Sequence, residues 1–195
     1  MKRIDETKLF RESSSRPQTQ KLADTPYLFG EIRQLETTML AIPKVSSENR
    51  RYIPIAFVEP EIIVSGSLLF IPAADLFDFG VLMSNVHNAW TRAVCGRMKS
   101  DYQYSASIVY NNFVWCNPTE NQRKKIEATA QGILDARALY PDSSLADLYD
   151  ERTMPPELRK AHQANDRAVM NAYGFDVKTM TEASCVAELM KLYQK

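Results

Sequence analysis

The stretch FGVLMSNVHNAWTRAVCGRMKSDYQYS, Phe79 to Ser105, changes character halfway along, and that change decides the reading of the fold. In its first half Leu82, Val86, Trp90 and Val94 recur at four-residue steps, with Phe79, Met83 and Ala93 beside them. This is a helical period, and the apolar pattern begins at Leu76, so a helix is expected over 76–94. Gly96 stands where such a helix would stop, because glycine closes helices at little steric cost. Then follow a polar loop and a run from Ser107 to Phe113 that reads as a strand.

Upstream, the runs Met39 to Ile42, Ile53 to Val58, Ile62 to Val64 and Leu68 to Ile71 are short, apolar and bounded by Pro, Gly, Ser or Asn. Such spacing predicts an antiparallel meander, with Pro54 at an edge or a bulge because it has no amide proton to give a ladder. The first 24 residues are polar and contain RESSSRPQTQ, the composition of a linker or an extended arm.

Downstream, Asn117-Pro118 marks a boundary, after which the pattern is helical. Thr119 with Gln122 forms a capping box ahead of the stripe Ile126, Ala130, Ile133 and Leu134. Ser144 is placed to cap a short helix. Pro155-Pro156 open a longer one that Gly174 closes. Thr179 with Glu182 repeats the capping box before Val186, Leu189, Met190 and Tyr193. The class is therefore α+β: a mixed or antiparallel sheet with a packed helix over 25–118, then an all-helical segment over 119–195.

The 195 residues are 45% apolar and 25% charged, enough to bury a core without staples. Formal net charge is zero, which excludes a polybasic binder but leaves room for a local cationic patch. Cys95, Cys116 and Cys185 are odd in number and lack a C-x-x-C spacing, as expected of reduced thiols. No apolar run reaches membrane-spanning length and the N-terminus has no signal-peptide pattern, so a bacterial cytoplasmic protein without a membrane partner is expected.

Catalytic signatures are missing. There is no G-x-G-x-x-G, no P-loop and no G-x-S-x-G elbow. His87 and His162 have no Cys or His at metal-ligand spacing, so both read as structural or surface residues. Asp147, Asp150 and Glu151 read as a solvated face rather than an acid–base pair. No cofactor or metal site is expected in this chain.

Two polar clusters carry what chemistry remains. One runs from Arg92 to Ser105 and offers Arg97, Lys99, Ser100, Tyr102 and Tyr104, with Asn112 close behind. The other is the turn-like stretch holding Lys44, Ser46, Ser47, Arg50 and Arg51. Arg and Lys pair with phosphates, Arg also grips a guanine edge, hydroxyls fix phosphates, and an Asn amide matches adenine. The bland alternative for both clusters is an ordinary solvated loop.

Longer motifs narrow the choice. IPKVSSENRRYIPIAF (42–57), the opening stretch at 79–105, and IVYNNFVW (108–115) followed by Thr119-x-x-Gln122 resemble the target-recognition part of MmeI-like type IIL restriction–modification enzymes. AQGILDAR, YPDSSLADLYD and MPPELRKAHQANDRAVMNAYGF resemble that family's helical C-terminal segment. The resemblance implies a recognition domain over 25–118 and a helical C-terminal domain over 119–195. It also implies double-stranded DNA as partner and a parent enzyme that uses S-adenosylmethionine to methylate adenine N6. The methyltransferase domain would lie in the parent polypeptide or a separate subunit. The family's Asn-Pro-Pro-Tyr motif is absent, since Asn117-Pro118 is followed by Thr119. Val114-Trp115-Cys116 departs from relatives that carry proline nearby. The alternative function is a protein-docking module without DNA contact, and the apolar stripes beyond Pro118 fit docking.

Overall fold

Residues Met39–Pro43 form β1, the centre of a three-stranded antiparallel sheet in the order β3-β1-β4, with β3 at Ala56–Val58 and β4 at Leu68–Pro72. Leu40 lies opposite Phe57 and Ile71. At Lys44 the chain leaves this sheet for a second one. The Lys44 amide donates to the Ser67 carbonyl (3.0 Å), and its own carbonyl accepts from the Tyr104 amide (2.8 Å). The second sheet has the order β2-β6-β5, from Val45–Ser46 (β2), Gly96–Met98 (β5) and Asp101–Gln103 (β6), again antiparallel. The computed structural model describes residues 1–32 and 35–194, and it divides into the units Met1–Leu35 and Glu36–Lys195.

The expected 76–94 helix is two helices, α3 (Leu76–Leu82) and α4 (Asn85–Val94). Ser84 makes the break. Its hydroxyl donates to the Val81 carbonyl (2.6 Å) and accepts from the His87 amide, capping α4. Serine competes with backbone in this way and so favours helix ends over interiors. The apolar stripe survives the break, because Leu82, Val86 and Trp90 are all buried.

Two expected strands do not form. Ser105 caps a π-helical turn over Ala106–Tyr110 where a strand was anticipated, and the Trp90 indole donates to the Val109 carbonyl (3.0 Å). Ile62 and Ile63 lie in a turn between β3 and β4, 55% and 65% exposed. Pro54 precedes β3 rather than lying in it; the Ile55 amide turns back to the Ile53 carbonyl (2.9 Å).

The helical half follows its caps closely. α5 (Glu120–Ala138) starts at the Thr119–Gln122 box and buries Ile126, Ala130 and Ile133. Ser144 caps α6 (Leu145–Leu148). α7 (Pro156–Ala172) ends at Gly174, whose φ of +73° permits both closing bonds, Phe175 amide to Met170 carbonyl and Gly174 amide to Asn171 carbonyl. α8 (Glu182–Tyr193) is capped by Thr181 with Ser184, not by Thr179, whose hydroxyl donates to Asp176.

Recognition and helical segments share one core. Gly80 of α3 lies so close to α5 that a Cβ there would meet Ile126 at 2.7 Å and Ala130 at 3.1 Å. The Asn165 amide of α7 donates to the Gly80 carbonyl (2.7 Å) and its oxygen accepts from Thr129 (3.1 Å). Arg123 pairs with Asp75, the α3 cap, and its guanidinium lies 4.4 Å from the Phe77 ring centre. Cys95, Cys116 and Cys185 are free thiols, and burial pushes Cys116 and Cys185 up to about 11.

The first unit is helical rather than extended: α1 spans Lys2–Glu12, α2 spans Pro17–Lys21, and a 3-10 turn covers Leu22–Asp24. Arg11 closes it by donating to the carbonyls of Leu22, Thr25 and Leu28 (2.8–2.9 Å). Lys, Arg, Glu and Leu are good helix formers, and summed over α1 this outweighed the turn signals that follow.

Candidate nucleic-acid interface

The two basic clusters, some fifty residues apart in sequence, meet in the second sheet. Ser46 of β2 lies opposite Tyr102 of β6, which lies opposite Arg97 of β5. Directly opposed residues share a face, and the Arg97 guanidinium rests 4.1 Å from the Tyr102 ring centre. The loop after β2 is tied to the β5–β6 hairpin through the Glu48 amide, which donates to the Asp101 carboxylate (3.2 Å).

Exposure sorts the candidates. Arg51, Arg97, Lys99 and Ser100 are exposed, while Lys44, Ser47, Arg50 and Asn112 are half-buried. Lys99 holds the hairpin tip with φ +57°, and the Arg97 guanidinium braces that tip through the Ser100 carbonyl (3.0 Å). The Lys44 ammonium donates to the Gly66 carbonyl (2.7 Å).

Three candidates are buried. Ser46 and Tyr104 are each 2% exposed and Tyr102 is 8% exposed. Tyr104 donates to Nε2 of His87 (3.0 Å), whose Nδ1–H donates to the Leu82 carbonyl (2.9 Å). The Leu82 carbonyl can only accept, which fixes this tautomer. Burial lowers His87 to about 4, so the ring is neutral. Tyr104 and His87 thus satisfy each other in the core, and placing Tyr104 on a DNA-facing surface does not fit its burial. Ser46 and Tyr102 share a face with the exposed Arg97, whose guanidinium covers the Tyr102 ring. Asn112 has spent both amide protons on the Ser107 and Ile108 carbonyls (2.9 and 3.0 Å), leaving only its oxygen. It closes the π-helical turn.

Arg92, the first cation of its cluster, is turned inward. It makes a two-pronged pair with Glu182 of α8 (2.6 and 2.9 Å) and donates to the Arg51 carbonyl (2.9 Å). Beside it a cleft of about 430 Å³ is lined by Arg50, Arg51 and Arg92 on one hand and Glu48, Glu151 and Glu182 on the other. Its charges largely offset one another and no aromatic ring lines it, so it does not fit an adenosyl group. Among the described residues no cluster of His, Cys, Asp or Glu is arranged to hold a metal ion, and no helix is long and apolar enough to cross a membrane.

Beneath the cleft lies a buried polar chain that the sequence did not announce. The Tyr52 hydroxyl donates to Asp166 of α7 (2.7 Å), and the other Asp166 oxygen accepts from the Asn85 amide at the start of α4 (2.7 Å). Burial, the largest influence, raises Asp166 to about 6 despite these bonds. His162 stacks on Tyr52 with ring centres 4.1 Å apart and accepts from the Tyr149 hydroxyl (2.8 Å), which in turn accepts from Arg137. Burial lowers His162 to about 3. The only advance signal was the coincidence of Tyr52, His162, Asn165 and Asp166 within otherwise apolar patterns.

A β-ribbon with an exposed cationic tip, tied to a second cationic loop, is mounted on a helical body. The comparisons with known proteins give the family. The family model described as "MmeI, target recognition domain" matches residues 1–117, and "MmeI, C-terminal domain" matches 118–195. The chain belongs to the MmeI family, carrying its target recognition domain followed by its C-terminal domain. "DNA methyltransferase A" of Bacillus subtilis (strain 168) is 37% identical over 193 residues, covering 99% of this chain and 22% of that protein. A solved structure of the type IIL restriction–modification enzyme MmeI in complex with DNA matches with a TM-score of 0.89 and 49% identity, covering 98% of this chain and 25% of that one. The chain thus spans about a quarter of the length of these relatives.

Proposed function

We propose that this chain is the sequence-reading module of a restriction–modification DNA methyltransferase. It holds double-stranded DNA for adenine-N6 methylation by a domain of the parent polypeptide or a separate subunit, in the bacterial cytoplasm. One observation carries the reading: the pairing of Ser46 with Tyr102 and of Tyr102 with Arg97 sets the backbones of the two basic clusters side by side in one sheet. The family relation and the DNA complex of MmeI support the partner.

The proposed contact set is Lys44, Ser47, Arg50, Arg51, Arg97, Lys99 and Ser100, with the Asn112 oxygen as a further acceptor. A two-stranded ribbon fits the major groove, where base edges are distinguishable, and the flanking cations suit phosphates. Methylating a base within a duplex requires flipping it out at a cost of a few kcal/mol, which such contacts offset. S-adenosylmethionine would be bound by the methyltransferase domain, and no step of its chemistry falls to residues of this chain. Protein docking is compatible with the apolar helical stripes, but those stripes are already used to bury the core that α5, α7 and α8 share with α3 and α4.

Fluorescence anisotropy with a labelled duplex tests the reading. Affinity should fall steeply with salt as counterions are released from phosphates. Arg97→Ala and Arg51→Ala should each weaken binding by roughly 1.5–3 kcal/mol. Salt-independent binding, or affinity untouched by either substitution, would refute it.

A further inference from the structure

Three consecutive residues at the end of the basic loop are each held by a different helix or side chain. The Arg51 carbonyl accepts from Arg92 of α4, which is itself clamped by Glu182 of α8. The Tyr52 hydroxyl donates to Asp166 of α7. The Ile53 amide donates to the Asn88 side chain of α4 (2.9 Å). At its other end the loop is tied to Asp101 through the Glu48 amide. Between these anchors stand Asn49, Arg50 and the Arg51 side chain. A loop carrying two adjacent cations repels itself and, untethered, would sample many conformations. Each frozen backbone residue costs about 1–2 kcal/mol of entropy, which binding would otherwise have to supply.

We infer that the C-terminal helical segment serves DNA recognition as a splint: Glu182, through Arg92, and Asp166, through Tyr52, fix the 47–53 loop so that Arg50 and Arg51 are presented in one geometry. Glu182, Arg92, Asp166 and Tyr52 are then positioning residues that do not touch DNA. The pair geometry supports this. Arg92 retains only 19% of its side-chain exposure and both forks of its guanidinium are used, so it has little left to offer a phosphate. Two-pronged Arg–carboxylate bonding constrains direction as well as distance. The inference rests on the duplex-contact reading above, and the test separates the two.

The whole chain is compared with Glu182→Gln, Tyr52→Phe and the double variant Arg50→Ala/Arg51→Ala. Amide hydrogen exchange followed by mass spectrometry reads the loop directly, without DNA. Glu182→Gln and Tyr52→Phe should each speed exchange over 47–53 by about tenfold, the equivalent of one lost charge-assisted bond. Exchange within α5 should stay unchanged. Duplex affinity should drop about three- to tenfold for each, the size of one such bond spread over bound and free states. In the Arg50→Ala/Arg51→Ala background, Glu182→Gln should change affinity less than about twofold, because positioning has no cation left to act through. Unchanged loop exchange in both single variants would overturn the splint. So would equal loss of affinity from Glu182→Gln with and without the two arginines, which marks a generic effect on stability. If Arg50→Ala/Arg51→Ala binds the duplex like the parent chain while loop exchange responds as expected, the duplex-contact reading of this loop fails and the recognition role of the splint falls with it.

Discussion

The β5–β6 hairpin and the seam between α3–α4 and α5–α7 make opposite use of polar residues. At the hairpin, Arg97, Lys99 and Ser100 are exposed and are held mainly by backbone and by one ring. At the seam, His87, Asn88, His162, Asn165 and Asp166 are buried, and each bonds to a named partner. A buried polar group without a partner costs about 1–3 kcal/mol, so the seam tolerates little change. The hairpin surface, whose groups are solvated, can vary at small cost to stability.

Acid should disturb the seam most. His87 and His162 are neutral in the fold, with values near 4 and 3, but charge readily once unfolded. Their stabilisation is full above the ordinary value near 6.5 and is lost as pH falls below it. Asp166, raised to about 6, works the other way and favours the fold as pH falls from 6 towards 4. Two imidazoles against one carboxyl leave a net loss of roughly 4 kcal/mol between pH 7 and pH 3.5, since each tenfold change in proton affinity is worth about 1.4 kcal/mol. Thermal melts followed by circular dichroism should show Tm falling steadily below pH 6.5. A flat or rising Tm would mean that the histidines are not sealed in the core.

Gly80→Ala should be next in size. The added methyl meets Ile126 at 2.7 Å, and overpacking of this kind costs about 1–3 kcal/mol. Chemical denaturation should report the loss with duplex affinity of the folded fraction unchanged. Tyr104→Phe probes the border between seam and surface. It deprives His87 Nε2 of its donor and should cost about 1–2 kcal/mol of stability, again sparing affinity. If affinity fell instead with stability intact, Tyr104 would belong to the reading surface after all. Lys99→Ala is the mirror image and has the smallest effect on the fold. Stability should shift by no more than about 0.5 kcal/mol, as at other exposed sites, while the salt dependence of duplex binding loses about one phosphate contact.

Much of the fold was legible along the chain, because caps and stripes are local. Thr119 with Gln122, Ser144, Pro155-Pro156 and Gly174 mark helix ends where the structure has them. β1 and β4 follow their apolar runs. The misreadings share a cause. The runs at 62–64 and 107–113 have strand composition, yet a short apolar run carries no information about whether a neighbouring strand exists to pair with it. Ser84 looked like one more residue in a helical stripe, since the period is kept on both sides of the cap.

The candidate site divides in the same way. Residue types and the order of extended motifs marked the two basic clusters and the family. Which cations face outward was not readable: Arg92, Arg97 and Arg51 look alike in sequence, yet Arg92 is largely covered and paired with Glu182, whereas Arg97 and Arg51 are exposed. Local pattern sets capping, periodicity and the chemistry on offer, because those depend on neighbours within a few residues. The pairing of Ser46 with Tyr102, and of Tyr52 with Asp166 more than a hundred residues later, arises only once the whole chain has packed. Burial and the partners of a charge depend on what the rest of the chain brings to the same place.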